Sequence, residues 1–191
     1  FEKTYKFLHP KDYMVFRLTG EISTDYVDAS STMALNIEKR TWFEELLEEL
    51  EIPLAKLPDI RNSFEVAGEL LPSYAERLGL PSNLPIIVGA GDTGAMLVGT
   101  GIVRNRFATC YLGSACEIDL VSDQLFLDPY MRIPIRCHVV PNMWFGSATS
   151  LTGGLAINWF INTLIKEKDL GILNELAEKS PIGSRGLIFL P

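Results

Sequence analysis

Between Arg77 and Arg104 the chain carries one charged side chain, Asp92, set in Gly89-Ala90-Gly91-Asp92-Thr93-Gly94-Ala95. Ahead of it, Ile86-Ile87-Val88 reads as a short buried strand bounded by Pro85 and Gly89. Behind it, an apolar stretch reads as a helix. A buried strand that passes through glycines into a helix points to an α/β domain with a mixed sheet. An isolated carboxylate at that junction has two readings. It caps the helix, its oxygen accepting orphan backbone N–H groups while Gly91 allows the turn. Or it is a base at the carboxyl end of a strand, where open α/β sheets place their ligands. The two are compatible, because a capping Asp can also face a cleft.

The rest of the chain is that of a globular protein. It has 191 residues, 47% hydrophobic and 21% charged, enough for one large or two small domains, which excludes disorder and filaments. The net charge of −7 gives no attraction to nucleic acid or anionic lipid. The one stretch resembling a membrane span, residues 86–103, is broken by five glycines and Asp92, so no membrane partner is expected. Cys110, Cys116 and Cys137 form an odd set without a Cys-x-x-Cys pair, so neither a disulfide framework nor a zinc site is expected, and a reducing cytoplasm is the simplest compartment. No signal-peptide pattern opens the sequence, and Phe1 and Pro191 read as the cut ends of something longer.

Composition changes at Pro85. Residues 1–85 hold fifteen acids against nine bases, and residues 86–191 nine against eight. The first part reads helical over residues 11–18 and 42–50, where Phe43, Leu46, Leu47 and Leu50 share a face and the glutamates between them form a wet one; a brief helix is expected over residues 73–79. The second part reads as strands over residues 86–88, 108–112, 117–121, 143–147 and 186–190, with helices after Asp92, over 151–165 and over 171–179. No internal repeat is present.

Other residues have both structural and chemical readings. Leu112-Gly113-Ser114-Ala115-Cys116 lies between two expected strands; it is a tight hairpin turn, or a turn whose backbone N–H groups and Ser114 hydroxyl meet a phosphate oxygen. Gly153-Gly154 opens an apolar helix and either lets it pack closely or lets a ligand approach the backbone. His9 and His138 lack metal partners at ligand spacing and read as structural, Cys110 and Cys116 as small buried thiols, and Trp42, Trp144 and Trp159 as packing residues.

Taken in order, the motifs resemble the FGGY family of carbohydrate kinases, its xylulokinase branch most of all. His9-Pro10-Lys11-Asp12-Tyr13 with Arg17-Leu18-Thr19-Gly20-Glu21 resembles the family's Leu-Pro-Lys-Asp-Tyr and Leu-Thr-Gly-Glu stretch. Thr24-Asp25-Tyr26-Val27-Asp28-Ala29-Ser30 resembles its Thr-Asp-Tyr-x-Asp-Ala-Ser segment; Trp42 and Gly68 fall in familiar places, and Gly89-Ala90-Gly91-Asp92 matches its Gly-Ala-Gly-Asp motif. The family's amino-terminal Asp-x-Gly-Thr loop and carboxyl-terminal adenosine motif have no match, so the chain reads as the middle of a longer kinase.

The resemblance implies a ribonuclease-H-like, actin-like ATPase fold, with residues 1–85 ending the sugar-binding domain and residues 86–191 beginning the nucleotide-binding domain. It implies transfer of the ATP γ-phosphate, with Mg²⁺, to a sugar hydroxyl, D-xylulose to xylulose 5-phosphate first among candidates. Asp92 would be the catalytic base and touch the sugar with Thr93, which stands where relatives often carry an amide. Gly113, Ser114 and Gly154 would lie against the nucleotide. A homodimer is compatible with this reading. A sensor that binds nucleotide or sugar without turnover is the alternative, motivated by the altered turn Ser114-Ala115-Cys116, and a scaffold in which Asp92 only caps a helix is a third.

Overall fold

A computed structural model describes residues 1–165 and 169–190. Its first elements are α1 (Pro10–Thr19), β1 (Ser23–Asp25), α2 (Tyr26–Ser31), β2 (Leu35–Asn36), β3 (Thr41–Trp42) and α3 (Glu44–Glu49). A 3-10 turn (Leu54–Lys56), β4 (Asp59–Arg61), β5 (Val66–Glu69), α4 (Pro72–Leu78), β6 (Pro85–Ile87) and α5 (Asp92–Gly99) follow. Then come β7 (Ala108–Leu112), β8 (Cys116–Ser122), β9 (Ile135–Cys137), β10 (Trp144–Ser150), α6 (Gly154–Phe160), a π-helical turn (Ile161–Ile165), α7 (Leu170–Glu178) and a 3-10 turn (Ser184–Gly186). The chain divides into two compact units, Phe1–Thr109 with Asp119–Ser147, and Cys110–Ile118 with Ala148–Pro191.

The local chemistry explains the first unit's elements. Pro10 opens α1 with its preset φ, the His9 N–H donates to the Asp12 carboxylate at 3.1 Å, and Gly20 at φ +84° ends the helix in a conformation that a side chain would resist. Asp25 caps α2, accepting from the N–H groups of Val27 and Asp28 at 3.1 and 3.3 Å. Strand β1 pairs in parallel with β4, Thr24 opposite Ile60, while β2–β3 and β5–β6 are antiparallel. Strands β7, β8, β10 and β9 lie side by side in that order, β9 antiparallel to β10 with Cys137 opposite Trp144.

One core of this unit joins Val27 of α2, Leu97 of α5, Val121 of β8, Met143 just before β10 and Phe145 of β10. Phe145 is fully buried, which stabilises by about 1.5–3 kcal/mol relative to exposure. A second cluster, Val15, Ala67 and Val88, fixes α1 against the β5–β6 pair. Gly94 brings α5 close to α2, since a Cβ there would lie 3.0 Å from a Val27 methyl.

Three expected elements change. The helix expected over residues 42–50 runs only over Glu44–Glu49, Trp42 pairing instead in β3. The helix expected over residues 151–165 begins only at Gly154 and becomes a π-helical turn from Ile161. The strand expected over residues 186–190 is absent; a 3-10 turn ends at Gly186, and the apolar run beyond it pairs with no strand among the described residues. Apolar β-formers make a strand only where a partner edge receives them. In the second unit Phe189 instead stacks on Trp159, ring centroids 6.1 Å apart.

Candidate active site

Residues 88–91 turn the chain from β6 into α5. Gly91 is the residue before the helix, at φ −57° and ψ 164°, so Asp92 is the first helical residue rather than the cap expected of it. A side chain at position 91 would run into the Asp28 carboxylate, so glycine holds the capping position and the acid moves one place in. From there Asp92 Oδ1 accepts the Thr93 N–H at 2.7 Å, satisfying one orphan donor of the first turn. Its Oδ2 has no partner among the described residues, and the side chain is exposed. Thr93 beside it is half-buried.

Behind this turn lies an ion network. Lys11 Nζ reaches Asp12 at 2.7 Å, Asp25 at 3.3 Å and Asp28 at 3.6 Å, and donates to the Val88 carbonyl at 3.3 Å. Burial alone would lower the Lys11 pKa, but the hydrogen bond to Asp12 and the charges of Asp25, Asp12 and Asp28 outweigh it, so the ammonium is held above its ordinary value. Asp28 moves up: burial and the neighbouring Asp25 outweigh Lys11. Ser63 donates to Asp25 at 2.7 Å, and the buried hydroxyls of Ser23 and Thr24 have no partner among the described residues. Both stretches stand out as motifs in the sequence, although the helix that Asp25 caps is not among the expected elements. That one lysine joins them does not stand out, because residues 11, 25, 28 and 88 meet only in the fold.

The second unit holds the other candidates. The Gly113 N–H donates to the Ala115 carbonyl at 2.8 Å, closing the turn between β7 and β8. The Gly153 and Gly154 N–H groups donate to the Ser114 and Gly113 carbonyls at 2.7 and 2.8 Å, and a Cβ on either glycine would come within 2.9 Å of a turn carbonyl oxygen. The two glycines therefore let α6 start directly on the turn, which is the packing reading of that pair. Gly154 thus stands beside Gly113 and Ser114, with its N–H already engaged. The Ser114 hydroxyl is exposed and has no partner among the described residues, so it can donate to an anionic oxygen.

Where a triphosphate with Mg²⁺ is the ligand, these residues fit it in part: an unengaged hydroxyl on a glycine turn suits a phosphate oxygen. No group of three or more His, Cys, Asp or Glu able to hold a metal occurs among the described residues. Mg²⁺ carried on phosphates needs only one or two protein carboxylates. No described helix is long and apolar enough to cross a membrane. His138 is structural, its Nδ1 accepting the Val140 N–H at 2.9 Å and its Nε2 meeting the Ile102 carbonyl at 3.1 Å; burial lowers its pKa. Cys137 is buried and its thiol is pushed up to about 11, whereas Cys116 is half-buried and Cys110 exposed, so the expectation of small buried thiols fails for Cys110. That residue lies on β7, whose side chains are mostly exposed.

A sequence profile of the FGGY family of carbohydrate kinases, N-terminal domain, matches residues 1–99. The chain belongs to that family. It is 29% identical over 191 residues to the xylulose kinase of Bacillus subtilis, covering all of this chain and 38% of that protein. A crystal structure of ligand-bound xylulose kinase from Lactobacillus acidophilus superposes with a TM-score of 0.91 at 30% identity, covering 98% of this chain and 38% of that one. The gluconate kinase of the same organism superposes at 0.90 and 31% identity, with the same coverage. The chain therefore spans little more than a third of the relatives it matches. Its fold is part of the ribonuclease-H-like, actin-like ATPase α/β fold of these kinases.

Proposed function

We propose that this chain is a segment of an ATP-dependent kinase that phosphorylates a sugar hydroxyl, with D-xylulose the first candidate, and that Asp92 is its catalytic base. The observation that carries the reading is Asp92 itself, an exposed carboxylate with one oxygen fixed by Thr93 and the other free, at the carboxyl end of a strand. In this reading the attacking hydroxyl gives its proton to Asp92 Oδ2 as its oxygen bonds to the γ-phosphorus and the bond to ADP breaks. The loose transition state asks more for alignment than for basicity, which suits a carboxylate braced by its own helix. Thr93, the neighbour of Asp92, would touch the sugar. Ser114, with Gly113 and Gly154 shaping the turn, would donate to a phosphate oxygen, and bound Mg²⁺ would offset charge on the phosphates. Residues 1–85 would close the sugar-binding domain and residues 86–191 open the nucleotide-binding one. A cytoplasmic setting suits MgATP as a substrate.

The similarity to a gluconate kinase at nearly the same TM-score supports a second substrate, a sugar acid. Sugar-dependent ADP formation by the full-length protein, over a panel holding D-xylulose, gluconate and polyols, separates them. Asp92→Ala is expected to lower turnover by about 100- to 10,000-fold. Loss of a first-turn acid costs a helix only about 0.3–1 kcal/mol, so the melting temperature should barely move. Turnover retained in Asp92→Ala overturns the base assignment. Tight binding of nucleotide with no ADP from any member of the panel would replace the kinase by the sensor.

A further inference from the structure

We propose that Asp28 is a positioning residue for Asp92, holding through Gly91 the direction in which the Asp92 carboxylate leaves its turn. The proposal rests on the reading of Asp92 as the base. The four residues that precede Asp92 are held by the Val88 and Gly89 N–H groups, which donate to the Glu65 and Ser63 carbonyls at 2.9 and 2.8 Å, and by two side-chain contacts, one at each end. At one end Lys11 Nζ holds the Val88 carbonyl at 3.3 Å, and at the other the Asp28 carboxylate lies against Gly91 so closely that a Cβ could not be placed between them. The same lysine joins the two, 3.6 Å from Asp28, while Asp12 and Asp25 hold it from the other side.

Asp28 itself is anchored. Its backbone N–H is capped by Asp25, whose other oxygen holds Val27 and Ser63, and the Val27 methyl groups sit where a Cβ on Gly94 would meet them at 3.0 and 3.1 Å. Helix α2 thus touches the start of α5 at two successive turns, once through a carboxylate and once through a valine. The Asp28 carboxylate has a raised pKa and accepts no hydrogen bond from the described residues, its ion-pair partner Lys11 standing 3.6 Å away. A carboxylate buried at that cost, facing the residue before the proposed base, is accounted for by placement of the base.

The test is a double-mutant cycle on the full-length protein, read as kcat and KM for sugar and for ATP. Gly91→Ala drives a methyl group into Asp28 and should lower kcat by about 100-fold, the effect of misplacing a reacting group by an ångström. Both KM values should stay within about threefold, since sugar and nucleotide binding are left in place. Asp28→Ala should lower kcat by about tenfold. In the Asp28→Ala background Gly91→Ala should cost almost nothing further, because both substitutions act through one contact. Equal losses from Gly91→Ala with and without Asp28 overturn the proposal, as does an unchanged kcat in Asp28→Ala. Asp28→Asn, close to the same shape, guards against misfolding: a folded Asp28→Asn protein with raised KM and normal kcat also overturns it. Asp92→Ala run beside these separates the two claims, since a fully active Asp92→Ala protein removes the base assignment whatever the cycle gives.

Discussion

Lys11 faces three carboxylates and a carbonyl with one ammonium, and that imbalance has a measurable sign. Removing one partner of a buried pair leaves charge without compensation; Lys11→Met should cost about 3 kcal/mol, the low end of the range for buried pairs, because 19% of the lysine side chain is exposed. The groups facing Asp28 are Asp25, Lys11, His9 and Asp12, and only Lys11 and a protonated His9 favour its charged form. Asp28 already has a folded-state pKa above its ordinary 3.8, so in that range the folded state binds more protons than the unfolded one, and stability increases as the pH falls. Without Lys11 the upward shift grows. The deficit of Lys11→Met relative to the parent should therefore be largest near neutral pH and narrow as the pH falls through the raised value towards 3.8. Urea denaturation of both full-length proteins from pH 7.5 down to 4.5 checks this; a deficit that stays constant or widens on acidification contradicts it.

Among the elements, α5 shows how glycines with one composition do different work. A Cβ on Gly94 would press on Val27 and Ala90, whereas one on Gly99 at the end of the same helix would meet nothing within 4 Å. Gly94→Leu should lower stability by about 1–3 kcal/mol through overpacking. Gly99→Ala should raise it by about 0.4–1 kcal/mol by restricting the unfolded chain. A Gly94→Leu protein that melts no lower than the parent would refute the contact between α2 and α5. The sequence alone distinguishes neither glycine, yet it places the helix they share, because Ile86-Ile87-Val88, the glycines and Asp92 are local signals. Strand β7 was legible for the same reason, down to both of its ends. Illegible were elements that depend on a distant edge: β1 and β4 are three residues each and exist through their parallel pairing, and the apolar run after Gly186 looks like a strand but pairs with no described strand. The candidate site divides along the same line. Asp92 and the Ser114 turn are visible as local motifs, while Asp28 acquires its part only where α2 meets residue 91.

At the scale of the whole molecule, the second unit carries apolar side chains that its own elements do not cover. Leu151 is 86% exposed and Leu187 81%, and Trp159 and Leu164, on α6 and the π-helical turn after it, are more than half exposed. Apolar exposure of that extent on a folded protein marks a surface meant to meet another. The chain spans 38% of the length of the Bacillus subtilis relative, so the covering surface is proposed to be the remainder of the kinase. The net charge of −7 keeps like chains apart at low salt, and screening at high salt removes that protection. The 191-residue chain expressed alone should therefore bind an environment-sensitive hydrophobic dye and associate increasingly as salt is raised, whereas the full-length protein should do neither. Equal dye binding by the two would mean that this surface stays open in the complete kinase, and its proposed cover would then have to be a separate partner.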